Sequence, residues 1–527
     1  MTPIATKGLY LKNCILPLAT KVVGSMLMTL VIVSSVFPTT VWFTDSMTFP
    51  KWLCTCVSVL ILLAVGSLFK FFRVPGLFLS TKGFSIGVTI VCAMESLLFM
   101  AQQLSHVSKS GVAIAGSFDN VAGFASCLVL SLPWGMSGIR NQRPMVKWLL
   151  IVAKTWCVIG LVCSGSRLGM LCLLAMGMIY LKVKRRWLLF VLCVALLVMV
   201  VGFKRHSSTG RWFIYERSIE MMASKPLAGW GSRGFERNYM QVQADYFREH
   251  GHSTYTKLAD NVHHPLSEYL LIGVNYGVIA LLASLAVTGL LLRRLSRDAD
   301  HPDLLATVVA LVLLGLFSYP MHYPFAWMVL SVVLLAVMKS QKHLPRMGYL
   351  VISAIAVVLL FPLYSFFKTE RRWAALAEKA RYGLYKTTLP GYQQLMDRKG
   401  DDPRFLYNYA AVLCEAGELK QAKSIITECY HSFKDYDVCL LAANIYAEAN
   451  DIHRAENYYK EAHLMVPSRI MPPYGLFRLY QRSGLRLKEQ QVGREILRLK
   501  IKVPSSKATE IKEKVRYDLH HENISHD

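Results

Sequence analysis

Arginine and histidine side chains are concentrated around one long polar stretch of the chain, which lies between apolar segments. Arg211 and Arg217 lie near its beginning, and His263 and His264 lie near its end. Arg167 lies further upstream, between two apolar segments. Guanidinium groups bind phosphate oxygens through paired hydrogen bonds, and an imidazole can accept a proton near neutral pH. We therefore expect chemistry on a membrane-bound substrate to take place in this stretch.

Apolar runs of roughly 17 to 25 residues flank the polar stretch, and this is the length that an α-helix needs to cross a bilayer. Hydrophobic residues make up 54% of the 527-residue chain. We count about eleven such runs, which predict an all-α, polytopic membrane protein with a large loop between two spans. The predicted spans are residues 22–43, 52–72, 84–104, 116–136, 146–164, 167–181, 187–203, 266–292, 304–319, 323–338 and 349–367.

Lysine and arginine residues lie mainly in alternate loops between the predicted spans. Because short basic loops stay on the cytoplasmic side of a membrane, this pattern predicts a cytoplasmic N-terminus. The polar loop 204–264 and the chain after residue 368 are then on the exported side. The topology also explains the net charge of +25, so we do not expect a nucleic-acid partner.

The composition becomes polar after the last predicted span, from about Trp373 onward. Small residues recur there at a spacing of roughly 33 residues, which is typical of tandem helix pairs of the tetratricopeptide type. Ala422, for example, recurs as Ala455. The repeats can bind a protein partner, and a helical cap without a partner is the alternative. The predicted domains are a transmembrane domain at 1–367, a repeat domain at 368–502 and a charged tail at 503–527.

Three cysteines lie in the C-terminal region, at Cys414, Cys429 and Cys439. They do not show the CxxC spacing of a zinc site, and we expect neither a metal nor a cofactor. An exported location allows disulfides, and the sequence leaves open whether any of these cysteines forms one.

Four short segments between residues 110 and 340 carry recognisable motifs. Gly116–Asn120 is similar to a Gly-Thr-Phe-x-Asn motif, and Ser164–Gly169 contains a Ser-Arg element at the outer end of a helix. Gly210–Phe235 begins with Gly-Arg and continues with spaced Pro, Gly and Phe residues, and Ser318–Pro324 contains two Tyr-Pro pairs. In this order, the segments resemble the O-antigen ligase and polymerase superfamily of bacterial membrane glycosyltransferases, which includes protein O-oligosaccharyltransferases.

One part of the chain departs from the family pattern. The family usually has a His-Asn pair a short distance before a glycine. With Gly277 as that glycine, the two positions hold Leu266 and Ser267. His263 and His264 lie close by, so either the loop shifts one of them into the same place or the mechanism does not need this base.

The resemblance implies an enzyme that transfers a glycan from undecaprenyl diphosphate to an acceptor hydroxyl at the periplasmic face of the bacterial inner membrane. O-antigen ligase-like activity, with the lipid A core as acceptor, is the first interpretation. Protein O-oligosaccharyltransferase activity and polymerisation of an O-antigen or exopolysaccharide chain are the alternatives. A transporter of the lipid-linked glycan and a membrane scaffold are further alternatives from other classes.

The same resemblance implies roles for the cationic and imidazole side chains. Arg167 and Arg211 would bind the diphosphate, with Arg217 as a further candidate, so that the reaction needs no metal. His264 is the first candidate for the base that takes the proton of the acceptor hydroxyl, and His263 is the second.

Each of these residues also has a structural interpretation. Arg167 can extend to the membrane interface, and Arg211 can be a solvated loop cation. Arg217 can form an ion pair on a helix surface with Glu216 or Glu220. The two histidines can simply begin the helix that follows them.

Asp119 and Asn120 lie within an apolar stretch. An acidic group is unfavourable there unless it is paired. We expect interhelical hydrogen bonds for these two residues, with substrate binding as the alternative.

Overall fold

The computed structural model describes residues 16–73, 81–105, 115–180, 205–251, 253–338, 345–502 and 504–524. In these ranges the backbone forms α-helices, two short 3-10 helices and no β-strand. The predicted all-α class is therefore confirmed.

The helices before the polar stretch are α1 (Leu16–Val36), α2 (Thr48–Phe71), α3 (Thr81–Leu104), α4 (Val121–Ser131), α5 (Pro144–Cys163) and α6 (Arg167–Tyr180). The polar stretch contains α7 (Arg205–Ser224) and α8 (Gly234–His250), and it is followed by α9 (Glu268–Ser296), α10 (Pro302–Phe317), α11 (Pro324–Met338) and α12 (Arg346–Arg381). The C-terminal helices are α13 (Tyr385–Lys399), α14 (Pro403–Glu415), α15 (Leu419–Ser432), α16 (Tyr436–Glu448), α17 (Ile452–Met465), α18 (Met471–Arg482), α19 (Arg486–Arg498) and α20 (Ser506–Ile524).

Among the described residues, five helices are long and apolar enough to cross a membrane, judged by length and composition, namely α2, α3, α5, α9 and α12. Five further apolar helices, α1, α4, α6, α10 and α11, are shorter. These helices confirm the class of polytopic membrane protein, whereas the number of about eleven spans stays a prediction. One predicted span, 187–203, lies outside the described residues.

The predicted span at 116–136 is shorter in the structure, because α4 covers only Val121–Ser131. Asn120 begins this helix, since its Oδ1 accepts a hydrogen bond from the Gly123 N–H group at 2.9 Å. A side-chain cap of this kind defines the first turn of a helix. All residues of α4 from Gly123 onward are buried, so α4 lies in a protein core.

The chain divides into two compact units. The first unit comprises Met1–Val200 and Leu285–Ala374, and the second comprises Val201–Ser284 and Ala375–Asp527. The polar stretch thus folds together with the C-terminal helices, a grouping that the sequence did not indicate. The predicted boundaries at residues 367 and 502 follow changes in composition, and they stay a prediction.

In the first unit, a buried lysine holds the turn before α4. The Lys51 Nζ group donates hydrogen bonds to the carbonyl oxygens of Pro38, Met47 and Ser117, at 3.1, 3.1 and 2.8 Å. Glu95 accepts a hydrogen bond from the Ser117 N–H group at 2.6 Å. Because a charged group in apolar surroundings is unfavourable unless it is hydrogen-bonded, these contacts link α2 and α3 to the turn.

In the second unit, main-chain hydrogen bonds join the polar stretch to α9. The Trp230 N–H group donates to the Val274 carbonyl oxygen at 2.9 Å, and the Val278 N–H group donates to the Pro226 carbonyl oxygen at 2.7 Å. We call this set of contacts, between residues 226–231 and 274–278, the α9 clamp. It fixes the chain between α7 and α8 against α9.

Helix α9 is interrupted within the α9 clamp. Gly277 has a φ of 84° and a ψ of 175°, which is not helical. A Cβ at this position would lie 2.1 Å from the Leu227 carbonyl oxygen, and a Cβ at Gly229 would lie 2.5 Å from the Asn275 carbonyl oxygen. The predicted continuous span at 266–292 is therefore broken, because the two backbones approach more closely than other residues allow.

The C-terminal helices pack in consecutive pairs, α14 with α15, α16 with α17, and α18 with α19. Alanines at the predicted repeat spacing are buried, namely Ala410 with Ala443 and Ala422 with Ala455. Small side chains let paired helices approach closely. The assignment of these pairs to the tetratricopeptide class stays a prediction.

The polar stretch packs against these C-terminal helices within the second unit. Helix α8 lies against α17. Hydrogen bonds and ion pairs join Gln243 to Met465, Arg248 to Glu461, and Asp260 to Arg469 and Lys502. The C-terminal helices thus form a second layer behind the polar stretch.

We expect Gly277→Ala to destabilise the second unit. Alanine would have to hold a backbone conformation that costs about 1–3 kcal/mol for a residue other than glycine, and its Cβ would overlap the Leu227 carbonyl group. Gly289→Ala on the same helix is the control, since nothing lies within 4 Å of a Cβ there. Thermal unfolding of the purified variants measures the difference, and equal melting temperatures would contradict the break in α9.

Candidate functional site

Arg211 and the histidine segment, residues 261–267, lie close together in the second unit, with Tyr215 between them. Arg211 and Tyr215 are four residues apart on α7, so they share one face of the helix. Burial raises the pKa of Tyr215, and the Arg211 guanidinium beside the Tyr215 hydroxyl opposes this rise. The same hydroxyl donates a hydrogen bond of 3.5 Å to the Leu266 carbonyl oxygen. The structure therefore brings Arg211 and the histidine segment together.

His264 closes a turn just before α9. Its Nδ1 atom accepts a hydrogen bond of 2.9 Å from the N–H group of Leu266, which has a positive φ of 56°. Because the Nδ1 lone pair is used in this bond, the neutral imidazole carries its hydrogen on Nε2. The Nε2 atom lies 4.0 Å from Glu268 Oε2, and the His264 side chain is only 18% exposed. This geometry gives His264 a role in forming the turn.

His263 has a different environment from its neighbour. Its side chain is 51% exposed, and its Nε2 atom lies 3.9 Å from Asp435 Oδ2. Its ring is nearly parallel to the ring of Phe433, with centroids 6.1 Å apart. Phe433 and Asp435 belong to the loop between α15 and α16. A half-exposed imidazole beside a carboxylate is an arrangement that suits a general base.

Arg217 is held by other residues of the second unit. Its guanidinium lies 2.7 Å from the Glu220 carboxylate and over the rings of Tyr246 and Phe213, at 4.5 and 5.7 Å from their centroids. Six positions along α7 separate it from Arg211, so the two arginines project from different sides of the helix. The structural alternative for Arg217, an ion pair with Glu220, is present, and a role in binding stays a prediction.

Arg167 is the first residue of α6, in the first unit. Ser166 precedes it, and the Ser166 Oγ atom accepts a hydrogen bond from the Gly169 N–H group at 3.2 Å. An anion at this end of α6 would meet both the guanidinium and the partial positive charge of the helix N-terminus. The placement is compatible with the predicted phosphate contact and also with anchoring at a membrane interface.

Asp119 and Asn120 form hydrogen bonds in the first unit, and these join the turn before α4 to the turn between α10 and α11 where helix-to-helix bonds were expected. The Tyr323 hydroxyl donates to Asp119 Oδ1 at 2.7 Å. The Asn120 Nδ2 group donates to the hydroxyls of Tyr319 and Tyr323, at 3.1 and 2.8 Å. Two of the four sequence motifs, which are far apart along the chain, therefore meet in the fold.

Sequence reasoning missed four residues around the histidine segment. Two of them carried a local signal, since Tyr215 lies one helical turn after Arg211 and Glu268 lies four residues after His264. Phe433 and Asp435 carried no local signal in the sequence, because their contact with His263 depends on the packing of the second unit.

The range that contains the candidate residues matches a known family. A family model described as O-Antigen ligase matches residues 152–285. The matched range includes Arg167, Arg211, Arg217 and both histidines, and the C-terminal helices lie outside it. No curated protein matches the chain. The match at residues 152–285 supports the predicted resemblance to the O-antigen ligase and polymerase superfamily, whose members are membrane glycosyltransferase-like enzymes.

Proposed function

We propose that this membrane protein transfers a glycan from an undecaprenyl-diphosphate-linked donor to an acceptor hydroxyl on the exported face of the membrane. The observation that carries the proposal is the joint placement of Arg211, Tyr215 and the histidine segment within the matched range 152–285. An O-antigen ligase-like reaction, with the lipid A core as acceptor, is its first form. Transfer to a protein and extension of a glycan chain are the other forms.

The reaction builds negative charge on its leaving group. As the bond between the sugar and the diphosphate breaks, the electron pair moves to a diphosphate oxygen, and fixed cations stabilise that charge. Arg211 and Arg167 are the proposed diphosphate ligands, because a guanidinium binds phosphate oxygens through paired hydrogen bonds. Arg217 is the third candidate, and its guanidinium is already engaged by Glu220 and two aromatic rings.

A base must take the proton of the acceptor hydroxyl, and for this role the geometry favours His263 over His264. A base needs an accessible lone pair. The His264 Nδ1 lone pair accepts a hydrogen bond from the Leu266 N–H group, whereas the His263 side chain is half-exposed beside Asp435. This reverses the order in which the sequence placed the two histidines.

The proposed location is the bacterial inner membrane, with the polar stretch and the C-terminal helices on the periplasmic side. The alternation of basic and neutral loops supports this orientation. The lipid carrier then presents the donor glycan on the same side as the histidine segment. The C-terminal helices are the proposed binding surface for a protein partner.

The acceptor is identified by offering the purified protein a labelled lipid-linked donor with lipid A core, with a protein, or alone. Label on the lipid A core supports the ligase form, and label on a Ser or Thr side chain supports protein glycosylation. Lengthening of the donor without either acceptor supports a polymerase. If folded protein transfers nothing from a verified donor, the proposal is wrong and a transporter or scaffold takes its place.

Replacement of Arg211 tests the diphosphate contact. We expect Arg211→Ala to lower kcat about 100- to 1,000-fold, the usual effect of losing one donor to a transition-state oxyanion. Arg211→Lys keeps the charge without the paired hydrogen bonds, so its kcat should lie between those of the wild-type protein and Arg211→Ala. Lys257→Ala removes an exposed positive charge from the same polar stretch and is the control. Equal rates for Arg211→Ala and Lys257→Ala would argue against the contact.

Two substitutions separate the roles of the histidines. We expect His263→Ala to lower kcat about 100-fold or more, since this is the usual contribution of a general base. His264→Asn should lose far less activity than His264→Ala, because an asparagine Oδ1 can accept the hydrogen bond from the N–H group two residues ahead. The same transfer assay measures both effects. If His263→Ala keeps the wild-type kcat, while His264→Asn and His264→Ala lower kcat by the same factor, His264 is the base.

Chelation tests whether the arginines act without a metal. We expect the rate in EDTA to stay within about twofold of the rate without it, because guanidinium groups supply the charge that a divalent cation supplies in other enzymes. A parallel assay contains EDTA and an excess of Mg²⁺. A rate that falls in EDTA and returns with Mg²⁺ would disprove this part of the proposal.

A further inference from the structure

The loop between α15 and α16 lies directly against the histidine segment. The Lys434 N–H group donates to the Arg237 carbonyl oxygen at 3.0 Å. The Asn261 Nδ2 group donates to Asp437 Oδ2 at 3.3 Å. These contacts hold residues 433–437 of the C-terminal helices beside the side chains proposed for proton transfer.

Asp435 has one carboxylate oxygen in use and the other facing His263. Its Oδ1 atom accepts a hydrogen bond from the Asp437 N–H group at 2.8 Å and so caps α16. Its Oδ2 atom accepts no hydrogen bond from any residue that the structure describes, and it lies 3.9 Å from His263 Nε2. Asp435 is only 3% exposed. A buried carboxylate oxygen is unfavourable without a donor or cation, and the His263 imidazole is the group that faces Oδ2, at a separation longer than a hydrogen bond.

Two other aspartates cap C-terminal helices and show what the second oxygen does elsewhere. Asp402 and Asp451 accept hydrogen bonds from first-turn N–H groups of α14 and α17. Their second oxygens face cations, Lys399 at 2.7 Å and Arg454 at 3.6 Å. At Asp435 an imidazole takes that position. Capping therefore explains only one of the two oxygens of Asp435.

The charges around this loop favour an imidazole that presents a proton to Asp435. Arg469 and Lys502 are both engaged by Asp260, at 2.9 Å each. Asp437 adds a second carboxyl group, and burial and then the charge of Asp435 raise the pKa of Asp437. These two cations are held by another carboxylate, and the His263 imidazole faces Asp435 Oδ2.

We propose that Asp435 is a positioning residue of the transfer site, which holds His263 in the tautomer that carries its hydrogen on Nε2. His263 Nδ1 then keeps its lone pair and accepts the proton of the acceptor hydroxyl. The acceptor oxygen forms a bond to the anomeric carbon, the bond from that carbon to the diphosphate oxygen breaks, and its electron pair leaves with the diphosphate.

The proposal requires the separation of 3.9 Å to shorten to hydrogen-bond distance when substrate binds, as catalytic hydrogen bonds do. The inference rests on the proposed function. It makes the C-terminal helices part of the transfer site, in addition to any partner that they bind.

The test is Asp435→Asn, because asparagine caps a helix as well as aspartate does. We expect kcat to fall about tenfold or more, while KM for the donor stays within about twofold and the melting temperature is unchanged. Asp451→Asn makes the same change at the cap of α17 and is the control, which should keep the wild-type rate. A purely structural role for Asp435 would lower the melting temperature or raise KM.

A double-mutant cycle shows whether Asp435 acts through His263. In the His263→Ala background, Asp435→Asn should change kcat by less than about twofold. The inference is overturned if Asp435→Asn lowers kcat by the same factor in both backgrounds. It is also overturned if Asp435→Asn alone, or His263→Ala alone, keeps the wild-type kcat. In each of these cases the proposed function stands as long as the wild-type protein transfers glycan. Failure of the wild-type protein to transfer overturns both.

Discussion

Main-chain hydrogen bonds across a broken helix hold the polar stretch in place. Because Gly277 interrupts α9, the carbonyl groups of Val274 and Asn275 can accept hydrogen bonds from Trp230 and the residue after it. The Asn275 side chain adds an acceptor for the Phe235 N–H group at the start of α8. The α9 clamp therefore fixes the start of α8 against α9, and the rest of the second unit packs around this contact.

The α9 clamp alone does not give the polar stretch a core. Phe235 and Tyr239 on α8 are buried in one apolar cluster together with Tyr436 and Met465 from the C-terminal helices. A short polar segment buries too little apolar surface to fold alone, so the C-terminal helices supply its second layer. Rigid helices behind a site hold its side chains in one geometry, which is what the proposed transfer between two bound substrates would require.

In the first unit, polar and charged side chains are buried among apolar helices. Lys51 and Glu95 form hydrogen bonds around Ser117, and Asp119 and Asn120 form hydrogen bonds with tyrosine hydroxyls. Such contacts turn unfavourable buried groups into links between helices. The turn before α4 is therefore specified by side chains from several other segments of the first unit.

The amino-acid sequence by itself determined the class of the protein, because the length of apolar runs and the motif around Arg211 are local properties. Only the tertiary structure decided the break at Gly277 and the different environments of His263 and His264. These two histidines are adjacent in sequence, yet His264 bonds to its own turn and His263 faces Asp435 from the C-terminal helices. Local sequence patterns cannot predict such a contact, because it forms only when segments that are distant in sequence pack together to bury their apolar surfaces.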